Sequence, residues 1–357
     1  MKILQVITSL KMGGAEKLIV DMVPKYRQRG FDVDVLLFDG IETPFKKQLE
    51  KEGIRIFELG RGSVYKLQNI WKLIPFFSKY DIVHTHNTAP QLYAAIASLF
   101  KKVILCTTEH STYNRRRNLS WYRPIDRWMY SRYKEVISIS PATTENLNKY
   151  VKISCPVDTV FNGIDVLKFK EAKAVARKEI RCAEDAFLLM MVAGFRYQKD
   201  QDTIIRALSY LPENVQLCLV GDGERRSECE ALVHRLNLSS RVSFTGIRTD
   251  IPNLLKAADV IVMSSHLEGF GLAAVEGMAA GKPVVASDVV GLGDIVKNYG
   301  CVFSKGSEEE LSEIIIRLMN DSDFYESVSR RCFNRAFNYD ISKTVDRYIH
   351  IYERLHG

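Results

Sequence analysis

The chain lacks the sequence features that would insert it into a membrane. Its N-terminus has no basic segment followed by an apolar stretch, and no apolar run approaches the ~18 residues that span a bilayer. Hydrophobic residues at 46% and charged residues at 26% are ordinary for a globular protein. We therefore expect a cytoplasmic protein, and any membrane association is expected to be peripheral, at the inner face of the plasma membrane.

The chain also lacks the motifs of common cofactor and metal sites. Its seven cysteines are scattered without C-x-x-C spacing, which favours reduced thiols over disulfides or a zinc site. The N-terminal glycine loop holds only the adjacent pair Gly13 and Gly14, so it does not match the G-x-G-x-x-G dinucleotide fingerprint. No D-x-D motif ends a strand in the stretches that carry the candidate site. We therefore expect no required cofactor and no bound metal.

Charge is distributed unevenly along the chain. Residues 1–167 contain 25 Lys and Arg against 16 Asp and Glu, whereas the remainder contains 25 against 27. The basic excess therefore lies in the N-terminal half, where an anionic partner such as a lipid headgroup, a lipid diphosphate or an acidic glycan would bind. The alternative is that the asymmetry serves only solubility.

Short apolar strands alternate with helices along the whole chain, which is typical of α/β proteins with parallel sheets. At 357 residues the chain is long enough for two such domains. We predict two doubly wound, Rossmann-like domains, residues 1–168 and 169–336. Residues 337–357 are predicted to form a helix that crosses back to the first domain.

The segment SSHLEGFGLAAVEGMAAGKPVVAS, residues 264–287, carries two carboxylates, Glu268 and Glu276, separated by a glycine turn and a helix start. Such a turn leaves backbone N–H groups unpaired, and these bind anions. Eight helical residues would span roughly 12 Å, which suits a sugar nucleotide with hydroxyl groups at both ends and phosphates between. A solvated pair of surface glutamates is the alternative, but the flanking apolar strands favour the carboxyl edge of a sheet, where ligands bind.

The pattern Glu268-Gly-Phe-Gly-Leu-x3-Glu276-x-Met-Ala-x-Gly-x-Pro-Val-Val-Ala resembles the E-x7-E signature of glycosyltransferase family 4. Members of this family are retaining nucleotide-sugar transferases of the GT-B fold, with two Rossmann-like domains facing across a cleft. The resemblance implies that Glu268 is catalytic and contacts the donor sugar, and that Glu276 contacts the ribose hydroxyls. The donor-binding residues that it implies are Gly13, Gly14, Arg196, Lys199, Gly246, Ile247, Glu268, Gly269, Phe270, Gly271, Leu272 and Glu276.

The segment Gly194-Phe-Arg-Tyr-Gln-Lys-Asp200 resembles the family pattern Gly-Arg-x-x-x-Gln-Lys-Gly with two departures. Phe195 stands between the glycine and Arg196, and Asp200 occupies the position where glycine is usual. The resemblance implies that Arg196 and Lys199 are catalytic, because they would neutralise the departing phosphate. Surface charges without a ligand are the alternative.

Three histidines follow or end predicted strands. His84 and His86 share one face of a strand, and since no third ligand is suitably spaced, hydrogen bonding in the core or between domains is favoured over a metal site. His110 lies just past the next strand. The resemblance implies that His110 is catalytic and touches the donor sugar near the reacting centre, while a purely structural histidine is the alternative.

Aromatic and basic residues are interleaved in two N-terminal segments. The first, residues 64–79, suits either a membrane-surface helix or a helix packed on the sheet. The second, residues 113–134, suits an acceptor of sugars and phosphates, a membrane interface or a solvated loop. Single-stranded nucleic acid is also held by such patterns, but no nucleic-acid-binding fold accompanies this one. Its candidate acceptor-side or membrane-side residues are Arg115, Arg116, Arg117, Trp121 and Arg123.

The resemblance implies a hexosyltransferase-type enzyme of class EC 2.4. It would move a sugar from a nucleotide diphosphate sugar, with UDP-sugars favoured, to a hydroxyl of a saccharide or polyprenyl-diphosphate-linked acceptor. The expected setting is bacterial synthesis of capsule, O-antigen or exopolysaccharide. A nucleotide-sugar epimerase or hydrolase of the same fold and a non-catalytic partner subunit are the alternatives.

Overall fold

The computed structural model describes residues 1–11, 13–111 and 115–357, with all side chains except those of Arg115 and Asn118. These residues form 13 strands and 15 α-helices. The strands are β1 (Lys2–Ile7), β2 (Asp32–Leu37), β3 (Ile56–Glu58), β4 (Ile82–His86), β5 (Ile104–Glu109), β6 (Glu135–Ser138), β7 (Val157–Thr159), β8 (Phe187–Val192), β9 (Val215–Val220), β10 (Val242–Gly246), β11 (Val260–Met263), β12 (Val284–Ser287) and β13 (Cys301–Phe303). The helices are α1 (Gly14–Gln28), α2 (Pro44–Lys51), α3 (Gln68–Phe77), α4 (Thr88–Ala97), α5 (Arg123–Ser131), α6 (Pro141–Tyr150), α7 (Val166–Lys170), α8 (Gln201–Ala207), α9 (Arg226–Arg235), α10 (Ile251–Ala257), α11 (Leu272–Ala279), α12 (Gly293–Val296), α13 (Glu308–Asn320), α14 (Ser322–Ala336) and α15 (Ile341–His356).

The chain divides into two compact units. The first comprises residues 1–163 and 341–357, and the second comprises residues 164–340. The boundary predicted from the sequence, after residue 168, falls inside α7 of the second unit. Helix α7 begins at the Asn-Gly turn because Asp165 accepts a hydrogen bond from the Lys168 amide and so stabilises the first turn. The second unit therefore starts before this helix.

Each unit is built on one parallel sheet, as the alternation of strands and helices predicts. The first unit has the strand order β3-β2-β1-β4-β5-β6-β7, and the second has the order β10-β9-β8-β11-β12-β13. Most residues of the central strands are buried on both faces, which explains why β8 and β11 are continuous apolar runs. The chain order reverses between β1 and β4 and again between β8 and β11. Such switch points are where doubly wound sheets bind ligands, beyond the carboxyl ends of the strands.

Helix α15 belongs to the first unit although it comes last in the chain. Its Val345, Tyr348 and Tyr352 are fully buried, and the Tyr352 ring packs edge-on against Tyr26 of α1, with 5.8 Å between centroids. At its end, Arg354 pairs with buried Glu135 at 2.9 Å. The first unit therefore depends on the end of the chain for its core. No helix among the residues described above is long and apolar enough to cross a membrane.

Candidate functional site

The switch point of the second unit brings together two segments that the sequence analysis singled out. One follows β8 and contains Arg196 and Lys199, and the other follows β11 and contains Glu268. The Ser264 hydroxyl donates to the Asp200 carbonyl at 2.6 Å, and the His266 amide donates to the Gln198 carbonyl at 2.9 Å. These bonds hold the two segments side by side, as their neighbouring strands require.

Lys199 and Glu268 form an ion pair between these segments. The Lys199 ammonium donates to Oε2 of Glu268, and the two side chains are 26% and 14% exposed. The other carboxylate oxygen, Oε1, accepts from the Gly269 amide at 3.2 Å. The pair therefore places one cation and one hydrogen-bond acceptor at the switch point, partly shielded from solvent.

Arg196 begins the turn that contains Lys199, whose amide donates to the Arg196 carbonyl at 2.9 Å, and Phe195 before it is anchored in the core. Phe195 is 1% exposed and lies 5.9 Å from the Phe244 ring, centroid to centroid. Its amide donates to the Asp222 carbonyl at 3.0 Å. Within the described part of the chain, the exposed Arg196 side chain makes no hydrogen bond or ion pair. The inserted phenylalanine thus fills the sheet interior, and the guanidinium that follows it remains available to an anion.

Asp200 ends the same turn in a left-handed conformation, with φ of 49°. Its buried carboxylate accepts from the Thr203 hydroxyl at 2.6 Å and lies 3.3 Å from Nδ1 of His266. Burial raises the pKa of Asp200, and the hydrogen bond from Thr203 opposes the rise. Aspartate is one of the few residues other than glycine that visits this conformation readily, which explains how it stands at a usual glycine position.

Helix α11 begins directly after the glycine turn. Gly271 precedes the helix with φ of 97°, and a Cβ there would lie 2.9 Å from Leu292. The Gly291 backbone packs on the turn so closely that a Cβ would lie 2.7 Å from the Glu268 carbonyl oxygen. The first N–H groups of a helix have no partner within it and carry partial positive charge. Glu276 lies in the second turn and is 8% exposed.

Gly246 and Ile247 lie at the end of the edge strand β10, two strands away from β8. Gly246 adopts φ of 69°, and the Ile247 side chain is 61% exposed. A cavity of about 350 Å³ opens beside this strand. Its lining includes Arg226, Phe244 and Arg248. The end of β10 is therefore a separate, arginine-lined part of the second unit.

In the first unit, the glycine pair begins α1. Gly13 precedes the helix in an extended conformation, and its carbonyl accepts from the Lys17 amide at 2.9 Å. Gly14 is the first helical residue. The structure thus places an α-helix N-terminus after β1, at the switch point of the first sheet.

The histidines lie in the first unit and are hydrogen-bonded. His84 bonds the Tyr352 hydroxyl at 2.5 Å and the Thr108 hydroxyl at 2.8 Å. Nδ1 of His86 lies 2.8 Å from Nε2 of His110. Both histidines therefore make hydrogen bonds within the core of the first unit. No group of three His, Cys, Asp or Glu side chains in residues 1–11, 13–111 and 115–357 is arranged to hold a metal ion.

Burial governs the titration of His110. Removal from water lowers the pKa of His110 to about 4, although the neighbouring Glu109 carboxylate acts in the opposite direction. The ring is therefore neutral at physiological pH. Its Nδ1 atom is buried and has no hydrogen-bond partner among the residues described.

The candidate acceptor-side or membrane-side residues include both buried and exposed side chains. Arg116 pairs with Asp126 at 3.1 Å and Arg117 pairs with Glu109 at 2.8 Å, and both arginine side chains are 8% exposed. Burial alone would raise the pKa of Glu109, but Arg117, Arg116 and the hydrogen bonds from Tyr130 and Gln91 together leave that pKa below its usual value. Arg116 and Arg117 thus have structural partners.

Trp121 is 62% exposed, and Arg123 at the start of α5 is exposed as well. They remain accessible as acceptor-side or membrane-side candidates. The Arg115 side chain lies outside the described residues.

Comparison with known families identifies the chain. Residues 12–167 match the model described as Glycosyltransferase Family 4, and residues 172–335 match the model described as Glycosyl transferases group 1. The chain belongs to glycosyltransferase family 4. The resemblance inferred from the sequence is therefore confirmed, and both sheets of this glycosyltransferase follow the GT-B architecture of its structural neighbours.

Individual relatives agree with this assignment. An uncharacterized glycosyltransferase of Methanocaldococcus jannaschii, MJ1607, is 31% identical over 70% of the chain and 69% of its own length. A UDP-Gal:alpha-D-GlcNAc-diphosphoundecaprenol alpha-1,3-galactosyltransferase of Escherichia coli is 27% identical over 80% of the chain and 78% of its own length. The crystal structure of Anabaena Alr3699/HepE in complex with UDP and glucose superposes with a TM-score of 0.88, at 25% identity, covering 99% of this chain and 100% of that one.

The glycosyltransferase therefore brings Arg196, Lys199, Glu268 and the turn before α11 together in its second unit. Glu276 lies further along α11, while Gly246 and Ile247 lie at a different strand end. Sequence reasoning missed Gln5, whose amide oxygen lies 2.7 Å from Nε2 of His86. The signal was present, because a glutamine in the otherwise apolar strand KILQVI requires a buried partner.

Proposed function

We propose that this glycosyltransferase transfers a sugar from a UDP-sugar to a hydroxyl of a polyprenyl-diphosphate-linked saccharide, with retention of configuration. The observation that carries the proposal is the Lys199–Glu268 pair at the switch point, beside the exposed Arg196 and the N-terminus of α11. The arrangement offers cations and backbone N–H groups for a diphosphate and a carboxylate for sugar hydroxyls.

The roles follow from the charges that change during transfer. When the bond from the anomeric carbon to the phosphate oxygen breaks, its electron pair remains on the departing diphosphate. Lys199 and Arg196 stabilise that charge, and Glu268 accepts hydrogen bonds from the sugar. The acceptor oxygen forms the new bond on the same face, and its proton passes to the departing phosphate. Glu276 accepts hydrogen bonds from the ribose hydroxyls.

The names of similar proteins support the choice of substrates. The Anabaena protein was crystallised with UDP and glucose, and the Escherichia coli relative is named for UDP-Gal and a diphosphoundecaprenol-linked sugar. Both proteins match the greater part of this chain. Membership of the same family makes a UDP-sugar and a lipid-linked saccharide the first substrates to test.

A donor panel tests the proposal. UDP-, GDP- and ADP-sugars are incubated with the enzyme in the presence and absence of undecaprenyl-diphosphate-linked GlcNAc, and nucleotide release is measured. We expect release from a UDP-sugar that depends on the acceptor, and a product whose anomeric NMR signals retain the donor configuration. Equal release without acceptor would indicate a hydrolase, and an inverted product would contradict retention.

The proposed reaction requires no metal ion, because arginine and lysine carry the charge of the diphosphate. We expect acceptor-dependent transfer to be unchanged by EDTA. Loss of activity in EDTA that Mg²⁺ or Mn²⁺ restores would contradict this part of the proposal.

A surface of the first unit suits an anionic membrane, where a lipid-linked acceptor would reside. We define the Trp71–Phe100 patch as Leu67, Trp71, Leu99 and Phe100, whose side chains are 55–73% exposed. The rings of Trp71 and Phe100 lie 4.8 Å apart, centroid to centroid. Exposed Lys66, Lys101 and Lys102 flank the patch in sequence. Aromatic rings beside lysines are the composition that binds the surface of acidic bilayers.

Vesicle sedimentation tests the membrane surface. The enzyme is mixed with phosphatidylcholine vesicles with or without phosphatidylglycerol, and bound protein is measured. The double variant Trp71→Ser and Phe100→Ser should bind anionic vesicles at least tenfold more weakly, since it loses two exposed aromatic side chains that would enter the bilayer. The control Tyr210→Ser removes an aromatic side chain, 54% exposed, from the second unit. Equal binding by the double variant and the control would exclude this surface.

A further inference from the structure

Arg335 of α14 lies between two tyrosine rings. Its guanidinium carbon is 4.4 Å from the centroid of the Tyr299 ring and 5.0 Å from that of the Tyr339 ring. A cation within about 6 Å of an aromatic face is attracted to it. Nη2 of Arg335 donates to the Asp294 carbonyl at 3.3 Å, while Nε is buried without a hydrogen-bond partner among the described residues. The guanidinium is therefore held largely by the two rings.

The Tyr339 ring connects Arg335 to the glycine turn before α11. It packs edge-on against Phe270, with 5.3 Å between centroids and 84° between the ring planes. Phe270 is 3% exposed and lies between Gly269 and Gly271 in that turn. Because a packed core leaves little free volume, a shift of Tyr339 would be transmitted through Phe270 to the backbone of the turn.

Asp294 provides a second connection to the same turn. Its carboxylate accepts from the Gly291 amide at 3.4 Å, and its carbonyl accepts from Arg335. The Gly291 backbone approaches the turn so closely that a Cβ would lie 2.7 Å from the Glu268 carbonyl oxygen and 3.1 Å from that of Gly269. Arg335 is thus connected to the turn through two separate sets of contacts.

The turn needs such support because its backbone is permissive. Glycine has more accessible backbone conformations than any other residue, and two glycines flank Phe270. Gly271 adopts φ of 97°, in the left-handed region. The Glu268 carboxylate and the first N–H groups of α11 move with this backbone. Packing on Phe270 and Gly291 therefore determines where these groups are held.

We propose that Arg335 is a positioning residue for glycosyl transfer, which acts through Tyr339 and Asp294 to fix the turn that presents Glu268 and the N-terminus of α11. The role is indirect, because Arg335 reaches the turn through these two residues. Support of the turn follows from contacts within residues 164–340 alone. Its effect on transfer rests on the proposed function.

Hydrogen exchange of the full-length enzyme, measured by mass spectrometry, tests the support of the turn. Arg335→Met keeps a long side chain and removes the cation between the rings. We expect the amides of residues 268–272 to exchange roughly tenfold faster in this variant, since the turn opens more often when its packing is weakened. Strands β8 to β13 should keep their wild-type exchange rates.

Arg317→Met is the matched control. Arg317 of α13 lies 3.9 Å from the centroid of the Phe324 ring, so the same substitution removes a cation–ring contact elsewhere in the second unit. Its exchange at residues 268–272 should match wild type.

Wild-type exchange at residues 268–272 in Arg335→Met would overturn the proposal. Equally faster exchange throughout β8 to β13 would overturn it as well, because Arg335 would then support the whole unit and not the turn. If Arg335→Met does not fold, Tyr339→Leu carries the same expectation, since it removes the ring between Arg335 and Phe270.

Kinetics with the UDP-sugar test the effect on transfer. We expect kcat to fall roughly tenfold in Arg335→Met, because a displaced turn stabilises the charge of the departing phosphate less well. KM should stay within about twofold of wild type, since Lys199 and Arg196 still bind the diphosphate. Arg317→Met should retain both constants.

The two measurements separate the support of the turn from the proposed function. If wild type turns over no UDP-sugar, the proposed function fails, while the exchange rates still decide whether Arg335 supports the turn. If exchange at residues 268–272 accelerates in Arg335→Met but kcat stays at the wild-type value, the role in transfer is wrong.

Discussion

Lys199 and Glu268 hold opposite charges together at the end of two neighbouring strands. Lys199 ends a short 3-10 helix, Glu268 lies in the loop before α11, and the ion pair joins the two segments. Glu268→Gln and Lys199→Met should each lower kcat/KM on the order of 100-fold, which is typical for loss of one charge-stabilising group. The measurement is acceptor-dependent UDP release.

The matched control is Lys297→Met, which removes an exposed lysine of the second unit that lies 3.8 Å from Asp288. It should retain the wild-type rate. Wild-type rates in Glu268→Gln or Lys199→Met would refute the assignment of these residues to the active site.

The buried histidines make stability depend on pH. Burial lowers the pKa of His84 and His86 well below the usual value and that of His110 to about 4. Below about pH 6.5 the unfolded chain therefore binds protons that the folded protein does not, so the free energy of unfolding should fall as the pH is lowered from 6.5 toward 4. Each histidine contributes at most about 1.4 kcal/mol per pH unit.

Urea denaturation between pH 7.5 and pH 5 measures this effect. The slope below pH 6.5 should persist in His350→Gln, which replaces an exposed histidine of α15, and decrease in His86→Asn. A free energy of unfolding that stays constant between pH 6.5 and pH 5 would show that the native histidines take up protons as readily as the unfolded ones.

The sequence predicts which residues belong to the candidate site better than it predicts which side chains form ion pairs with one another. The motifs that contain Glu268 and Lys199 each follow a recognisable apolar strand, and this placed both residues in the predicted site. It could not pair Arg116 with Asp126 or Arg117 with Glu109, since those contacts depend on how α5 packs beside β5. Three adjacent arginines therefore suggested a ligand surface, although Arg116 and Arg117 are buried in ion pairs.

The turn that ends at Asp200 has a left-handed residue where glycine is usual, and substitutions there measure the energetic cost of that conformation. Asp200→Gly should change the free energy of unfolding little, because release of the left-handed strain offsets the lost bond to Thr203. Asp200→Ala keeps the strain and loses the bond, so it should be less stable than Asp200→Gly by about 1–2 kcal/mol.

Urea denaturation of the two variants beside wild type gives the comparison. Equal stability of the alanine and glycine variants would mean that the backbone conformation costs nothing at this position. A strongly destabilised glycine variant would mean that the buried carboxylate contributes more than its bond to Thr203.

Element types were predictable wherever local signals agreed. The helix start expected after the glycine turn is found at Leu272, and the helix expected within residues 337–357 is found at Ile341–His356. Apolar runs and glycine turns fix such elements locally. The boundary expected after residue 168 was less predictable, because helix α7 begins at the cap formed by Asp165, which a turn signal alone does not reveal.

For the molecule as a whole, α15 completes the core of the first unit. Deletion of residues 341–357 removes Ile341, Val345, Tyr348, Ile351 and Tyr352, each no more than 3% exposed. Five such side chains contribute roughly 8–15 kcal/mol, which is comparable to the entire stability of a domain. We expect the first unit to unfold in the truncated protein and the second unit, which is continuous in sequence, to remain folded.

Hydrogen exchange measured by mass spectrometry distinguishes the two units. Amides of β1 to β7 should lose their protection in the truncated protein, while those of β8 to β13 should keep it. Protection retained throughout β1 to β7 would show that the first unit is stable without its last helix.

The position of α15 also determines the order in which the enzyme is completed on the ribosome. The amide of Gln5 bonds Tyr352, a residue 347 positions later. On the ribosome, β1 therefore emerges long before α15, which supplies part of its packing. The second unit, residues 164–340, is continuous in sequence and lies entirely before α15. The unit whose strands come first in the sequence is consequently the unit that is completed last, because it needs residues 341–357.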